Sequence, residues 1–225
     1  MSTAEVVDRV TTPRGELVLR RVGEHHEIVS NGIFLMDTRD GRSERLLVRA
    51  AVEAHGDPRS VLIGGLGMGF SLAEATRFPS LSTVTVVEVE ELVVGWHDGP
   101  LADVSGGALR DPRVEVVVAD LRDHLRDHVR RYDVICLDVD NGPDWTVTDS
   151  NTGLYGPAGL AAIQRRLRPG GVLAVWSARA VPAYEDLLRG LGLRVEARSV
   201  EVPRGEPDVV YVATAPPPLT ASAAP

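Results

Sequence analysis

Hydrophobic residues in this chain gather into short, nearly unbroken runs, and polar residues collect where the runs stop. VLIGG begins at residue 61, STVTVVEVE at 82, RVEVVVAD at 113, YDVICLDVDN at 132 and GVLAVWSA at 171. Unbroken apolar runs of strand length predict strands covered on both faces, as in a parallel sheet. Between them the period changes to that of a helix. Leu47, Ala50, Ala51 and Ala54 form one stripe that Ser43 would cap and Gly56 would end. Further helical patterns cover 70–79, 90–97, 121–131, 156–167 and 181–190. The closing runs LRVEARSVEV and DVVYVATA are joined by PRGEPD, too short for a helical crossover, so the last strand should run antiparallel. The whole predicts an α/β, Rossmann-like, seven-stranded, mostly parallel sheet over residues 43–214. Ahead of it, GELVLRRVG and HHEIVSNGIFLMDT read as strands turned at Asn31-Gly32, a small N-terminal β-hairpin element within residues 1–42. Residues 1–12 carry too little pattern to assign. Residues 215–225, rich in Pro and Ala, read as a disordered tail.

The first sheet strand breaks into Gly64, Gly65, Gly67 and Gly69 before a helix begins. Glycines there let the chain reverse sharply and let a ligand lie on the backbone, so these four are candidates for a binding floor. Their spacing departs from G-x-G-x-x-G, which weakens a nicotinamide dehydrogenase reading, and no G-K-[ST] suggests a P-loop. Glu88 follows at the distance where a nucleotide fold places the carboxylate for the ribose hydroxyls. Asp120 ends the third run, and Asp138, Asp140 and Asn141 end the fourth. Any single acid at a strand end is commonly a helix cap. Repetition at successive strand ends points instead to a ligand across the sheet edge. The stretch 139–153 is long for a strand-to-helix connection and carries Trp145, which favours a functional loop.

Composition narrows the classes. A net charge of -8 over 225 residues argues against a nucleic-acid partner, which needs clustered Lys and Arg. Cys136, the one cysteine, excludes an intrachain disulfide and reads as a small buried hydrophobe in a reducing compartment. No opening stretch has signal-peptide character and no segment has the ~20 apolar residues of a membrane span, so a soluble cytoplasmic protein with no membrane partner is expected. His25 and His26 fall on opposite strand faces. His124 and His128 share a helix face among Arg and Asp, which reads as solvated rather than metal-binding. No metal is expected.

With its glycine turn after the first strand and acids after the next three, the chain resembles class I S-adenosylmethionine-dependent methyltransferases. Within that group it looks most like the spermidine synthase family of aminopropyltransferases, through VLIGG, VTVVEVE, DPRVEVVVAD, YDVICLD, GLYGPAGL and LRPGGVLAVWS. The resemblance implies that Glu88 holds the ribose of a sulfonium nucleoside, that Asp120 contacts the adenine amino group, that Asp138 is catalytic, and that Tyr155 lines the site. It also marks departures. The family's Gly-Gly-Gly-Asp-Gly-Gly turn, whose Asp holds the amine end of the donor, reads Gly64-Gly65-Leu66-Gly67-Met68-Gly69 here. Its Tyr-His-Glu is Arg42-Ser43-Glu44. Its second acceptor aspartate is Asn141, with Asp140 one residue earlier.

Alkyl transfer needs an acceptor lone pair aligned behind a carbon on positively charged sulfur, and alignment alone supplies effective molarities of ~10⁵ M or more. An amine acceptor, protonated in water up to a pH of about 10, must also lose a proton. Asp138 is the expected base, with Asp140 attracting the cation and Asn141 beside it. Trp145, Tyr155 and Trp176 are expected to wall the substrate site, although Trp176 is as readily core packing. The expected activity is transfer from decarboxylated S-adenosylmethionine or S-adenosylmethionine to a small amine acceptor. Methyl transfer from intact S-adenosylmethionine is the alternative, since the missing turn aspartate would not repel its carboxylate. A non-catalytic nucleoside-binding or interaction module is the reading from another class. The N-terminal element suggests a homodimer.

Overall fold

The computed structural model describes residues 3–144, 151–203 and 205–215. Its larger sheet contains β5 (Ser60–Gly64), β6 (Thr83–Glu88), β7 (Val114–Val118), β8 (Tyr132–Leu137), β9 (Leu167–Ser177), β10 (Arg194–Val200) and β11 (Asp208–Thr214). Their spatial order is β10-β11-β9-β8-β5-β6-β7. Strands β5 to β9 run parallel, and β11 is antiparallel to both its neighbours, as the short PRGEPD connection requires. Chain order reverses across β5, which lies between β6 and β8. That reversal opens a crevice at the carboxyl ends of these strands.

Alternation along each strand divides the core in two. Ile63, Val86, Val134 and Cys136 join Leu47 and Val48 of α1 (Arg42–His55) and Leu72 of α2 (Phe70–Thr76) on one face. Leu62, Val87, Ile135 and Leu137 join Leu125 of α4 (Leu121–Asp127), Ile163 of α6 (Pro157–Arg166) and Leu188 of α7 (Pro182–Gly190) on the other. Each such fully buried Val, Leu or Ile contributes roughly 1.5–3 kcal/mol of transfer free energy. The short helices α3 (Glu91–Trp96) and α5 (Thr152–Tyr155) flank the crevice strands.

The N-terminal element is a four-stranded antiparallel sheet of β1 (Ala4–Thr12), β2 (Gly15–Val22), β3 (His25–Ser30) and β4 (Ile33–Asp37), in that order. Asn31 and Gly32 turn β3 into β4 with φ of 49° and 80°, as read from sequence. Strand β1 was not legible because it is exposed almost throughout, which removes the alternation that marks a half-buried strand. Leu17, Leu19 and Ile28 of this sheet pack into the same core cluster as α1, so the element is held over the crevice by apolar contact.

Two local expectations are corrected. Ser43 does not cap α1; Gly41 occupies the cap position, and the Ser43 hydroxyl turns towards β11. His128 is exposed, but His124 is 5% exposed, stacked on His128 at 4.3 Å and directed at Tyr132. It follows Leu121 and Leu125 into the interior, and burial lowers its pKa. Of the proposed tail, only Ala215 falls within the described residues.

Candidate active site

A cavity of about 1720 Å³ lies where the N-terminal sheet covers the crevice. Its floor is the turn after β5. Gly64 accepts a hydrogen bond from the Asp138 N–H (2.8 Å), and the Gly65 N–H donates to Val87 (2.8 Å), so the turn is tied to both neighbouring strand ends. Gly65 has φ of 91°, and a Cβ there would strike the Asp138 carbonyl oxygen. Only glycine fits that approach. Gly67, with φ of 49°, sits against the Met36 sulfur of β4, which brings the N-terminal sheet onto the turn. Gly65 and Gly67 line the cavity. Gly64 and Gly69 are packing positions instead, where a Cβ would meet Leu121 in the first case and His97 and Ser105 in the second.

At one end of the cavity stand Glu88 and Asp120. Glu88 is 8% exposed and accepts from the Leu66 N–H (2.8 Å) and the Glu90 N–H (2.9 Å). Burial raises its pKa, and these backbone donors oppose the shift. Asp120 caps α4 by accepting from the Arg122 N–H (2.8 Å), with the Arg122 side chain 3.4 Å away. Over this end lies the turn between β1 and β2. Arg14 donates to Glu90 (2.7 Å) and to the Val89 carbonyl (2.6 Å), and Thr12 donates to Glu90 (3.2 Å).

The other end is built from α1, β8 and β11. Asp138 accepts from the Ser71 hydroxyl at 2.6 Å. Burial pushes its pKa up to about 6, with Ser71 opposing and the charges of Glu88 and Asp208 adding. Glu44, 7% exposed, is pushed up to about 8, first by burial and then by the charge of Asp138. The Ser43 hydroxyl lies 2.7 Å from Asp208 and 3.1 Å from Glu44. A hydroxyl has one proton, so when it donates to Asp208 the second contact is a hydrogen bond only if Glu44 carries a proton of its own. The raised pKa of Glu44 fits that arrangement. Asp208 is raised chiefly by burial, while Ser43 and the neighbouring Trp176 lower it.

Asp140 and Asn141 both line the cavity. Asp140 has φ of 55° and accepts from the Asn151 amide at 2.8 Å. Asn141 is buried, and its carbonyl accepts from the Ala178 N–H at 3.1 Å. Trp176 lines the cavity while also packing on the core. Tyr155 is corrected: it does not line the cavity. Its ring is buried edge-on to Tyr184 (6.0 Å between centroids), and its hydroxyl donates to the Val139 carbonyl at 2.6 Å. It therefore braces the loop behind Asp138. Trp145 lies outside the described residues. Cys136 is fully buried and burial raises its thiol, in keeping with a packing role.

The spermine/spermidine synthase domain, as a family, matches residues 42–188, the stretch that holds the glycine turn, Glu88, Asp120 and Asp138. The chain belongs to the spermine/spermidine synthase family. Polyamine aminopropyltransferase 2 of Pseudomonas aeruginosa is 37% identical over 134 residues, which are 58% of this chain and 36% of that protein. The polyamine aminopropyltransferase of Aeropyrum pernix is 29% identical over 198 residues, 83% of this chain and 61% of that protein. That of Mycobacterium tuberculosis is 32% identical over 164 residues, 71% of this chain but 30% of the relative. The chain thus spans only part of the length of each. Among solved structures, a spermidine synthase in complex with the transition-state analogue AdoDATO has a TM-score of 0.77 at 21% identity, covering 93% of this chain and 73% of that one. The spermidine synthase from Thermotoga maritima gives 0.75, also at 21% identity, covering 93% and 72%. These two likenesses show the spermidine synthase fold.

Sequence reasoning about this family member missed Ser71, Asp208 and the Thr12–Arg14 turn, and placed Glu44 in a motif without giving it a role. Ser71 lies two residues past the glycine turn and had only position to signal it. Asp208 opens the final strand, and its place at the cavity follows from that strand's reversed direction, which the sequence did show.

Proposed function

We propose that this chain is an aminopropyltransferase that takes its group from decarboxylated S-adenosylmethionine and gives it to an amine. The observation that carries this reading is the charge of the cavity. Its basic side chains among the described lining residues are Arg14 and Arg39, and both are paired, Arg14 with Glu90 and Arg39 with Glu27 and Asp37. Every other charged group on the wall is a carboxylate. A donor that has lost its own carboxylate suits such a wall, and so does a cationic acceptor.

In the proposed reaction Glu88 accepts hydrogen bonds from the ribose hydroxyls on lone pairs that its backbone donors leave available. Asp120 faces the adenine amino group. The acceptor nitrogen attacks the propyl carbon attached to sulfur; the new N–C bond forms as the C–S bond breaks, and the C–S electron pair neutralises the sulfonium to leave 5′-methylthioadenosine. Asp138 takes the proton that the acceptor nitrogen must lose. A carboxylate with a pKa near 6 is a better base at neutral pH than an ordinary aspartate and is still mostly ionised there. The backbone tie from Asp138 N–H to Gly64 fixes this base against the glycine turn, where the donor's sulfonium would lie.

One feature favours methyl transfer from intact S-adenosylmethionine: Gly67 stands where the family's turn has an aspartate, so nothing on the turn itself repels a carboxylate. The two reactions are separated by their products. Incubation with decarboxylated S-adenosylmethionine and 1,4-diaminobutane, followed by mass spectrometry, should yield an aminopropylated amine and 5′-methylthioadenosine in equal amounts. Methylated amine from intact S-adenosylmethionine, with no aminopropyl product, would replace this reading with methyl transfer.

A further inference from the structure

Parallel strands present their carboxyl ends to the crevice, but an antiparallel strand presents its beginning. Asp208 is the first residue of β11, and Val209 pairs with Ser177 at the carboxyl end of β9, so Asp208 comes to the same edge of the sheet as Asp138. Both line the cavity, together with Glu44. Strand β9 lies between β8 and β11, which puts the two aspartates two strand spacings apart, roughly 10 Å along the sheet edge.

No arginine or histidine among the described residues forms an ion pair with Glu44, Asp138 or Asp208. Serine hydroxyls answer them instead, and the negative charges of Asp138 and Asp208 both act on Glu44. Glu44 is buried and Asp138 and Asp208 are half-buried; carboxylates withdrawn from water without counter-charge are costly, and the cost is relieved either by protons or by a cation entering the cavity. A single ammonium at Asp138 would leave Asp208 without a counter-charge. A cation with two charged ends answers both, and an extended four-carbon diamine with a hydrogen bond at each end covers a separation of this order. Position 141, beside Asp138, offers only a neutral amide.

We propose that Asp208 is the acceptor-specifying carboxylate of this chain, holding the ammonium of a diamine or longer polyamine that does not react, while Asp138 faces the nitrogen that does. The proposal rests on the transferase reading above and names the acceptor as a polycation. Asp208 positions substrate through its remote end and takes no part in bond making, so its loss should act on acceptor binding and not on the donor.

The test is calorimetric titration of the wild-type chain and Asp208→Asn with 1,4-diaminobutane and with 1-aminobutane, each with and without saturating 5′-methylthioadenosine. The wild type should prefer the diamine by tenfold or more, and Asp208→Asn should erase that preference by weakening the diamine about tenfold while leaving the monoamine within about twofold. Asp208→Glu should restore part of it. Equal weakening of both amines would show a structural role and overturn the proposal, as would an unchanged preference. If the amide variant does not fold, Asp208→Ser carries the same comparison. Failure of 5′-methylthioadenosine to bind the wild type would overturn the donor assignment, and the titrations without nucleoside would still decide the role of Asp208.

Discussion

The two ends of the cavity are both acidic, yet they treat their acids differently. At the proposed nucleoside end Glu88 is answered by two backbone N–H groups, Glu90 by Arg14, and Asp120 by the Arg122 N–H and side chain. At the proposed acceptor end Glu44, Asp138 and Asp208 are met by serine hydroxyls; the charges of Asp138 and Asp208 raise the pKa of Glu44, and the charge of Asp208 raises that of Asp138. Answered carboxylates are fixed hydrogen-bond acceptors, suited to a neutral polyol. Carboxylates met only by neutral donors without a counter-charge are a charge deficit, suited to a cation that brings the missing charge.

Asp138→Asn should have the largest effect, since it removes the proposed base and keeps the shape. Turnover should fall by about 10²–10⁴-fold while the affinity for uncharged 5′-methylthioadenosine in equilibrium titration changes little. Unaltered turnover would place the base elsewhere. Glu88→Ala should do the reverse, weakening the nucleoside by about 10–100-fold through loss of charged hydrogen bonds. Acceptor affinity measured without nucleoside should hold. If both ligands weaken together, the two ends are not the separate units described here.

Much of this division was legible in the chain. Glu88, Asp120 and Asp138 stand at the ends of apolar runs whose direction the pattern fixes, so each could be placed at one sheet edge before any coordinates. Asp208 was passed over because it precedes its run, although the antiparallel direction that PRGEPD already implies turns that beginning towards the site. Tyr155 was misassigned because a tyrosine at the end of a short helix beside the site looks alike in sequence whether its hydroxyl faces a ligand or the Val139 carbonyl. Strand β1 was missed because exposure on both faces leaves no period to read.

A smaller effect concerns Glu44 and pH. Its pKa rises from 4.5 in the unfolded chain to about 8 when folded, so the folded state holds the proton more tightly. The stabilisation from that tighter hold is full below pH 4.5 and is lost as pH rises through 8, by at most ~1.4 kcal/mol per pH unit in between. Glu44→Gln should therefore melt with less pH dependence than the wild type over this window and should be the more stable of the two above pH 8. Parallel melting curves would mean that Glu44 ionises as freely folded as unfolded. Smallest of all, Tyr155→Phe should cost about 1 kcal/mol of stability through the lost bond to Val139, a shift of roughly 2–4 °C in Tm, with donor affinity unchanged. A large loss of amine or nucleoside affinity would return Tyr155 to the site wall.

The most direct test of the contrast between a neutral cradle and a charge deficit is a side-by-side calorimetric titration with decarboxylated and intact S-adenosylmethionine. The two ligands share every nucleoside contact and differ in one carboxylate, so their ratio of affinities reads the charge of the cavity beyond the ribose. Tighter binding of the decarboxylated form is expected, with equal loss of both affinities in Glu88→Ala. Preference for intact S-adenosylmethionine would contradict the charge deficit at the acceptor end.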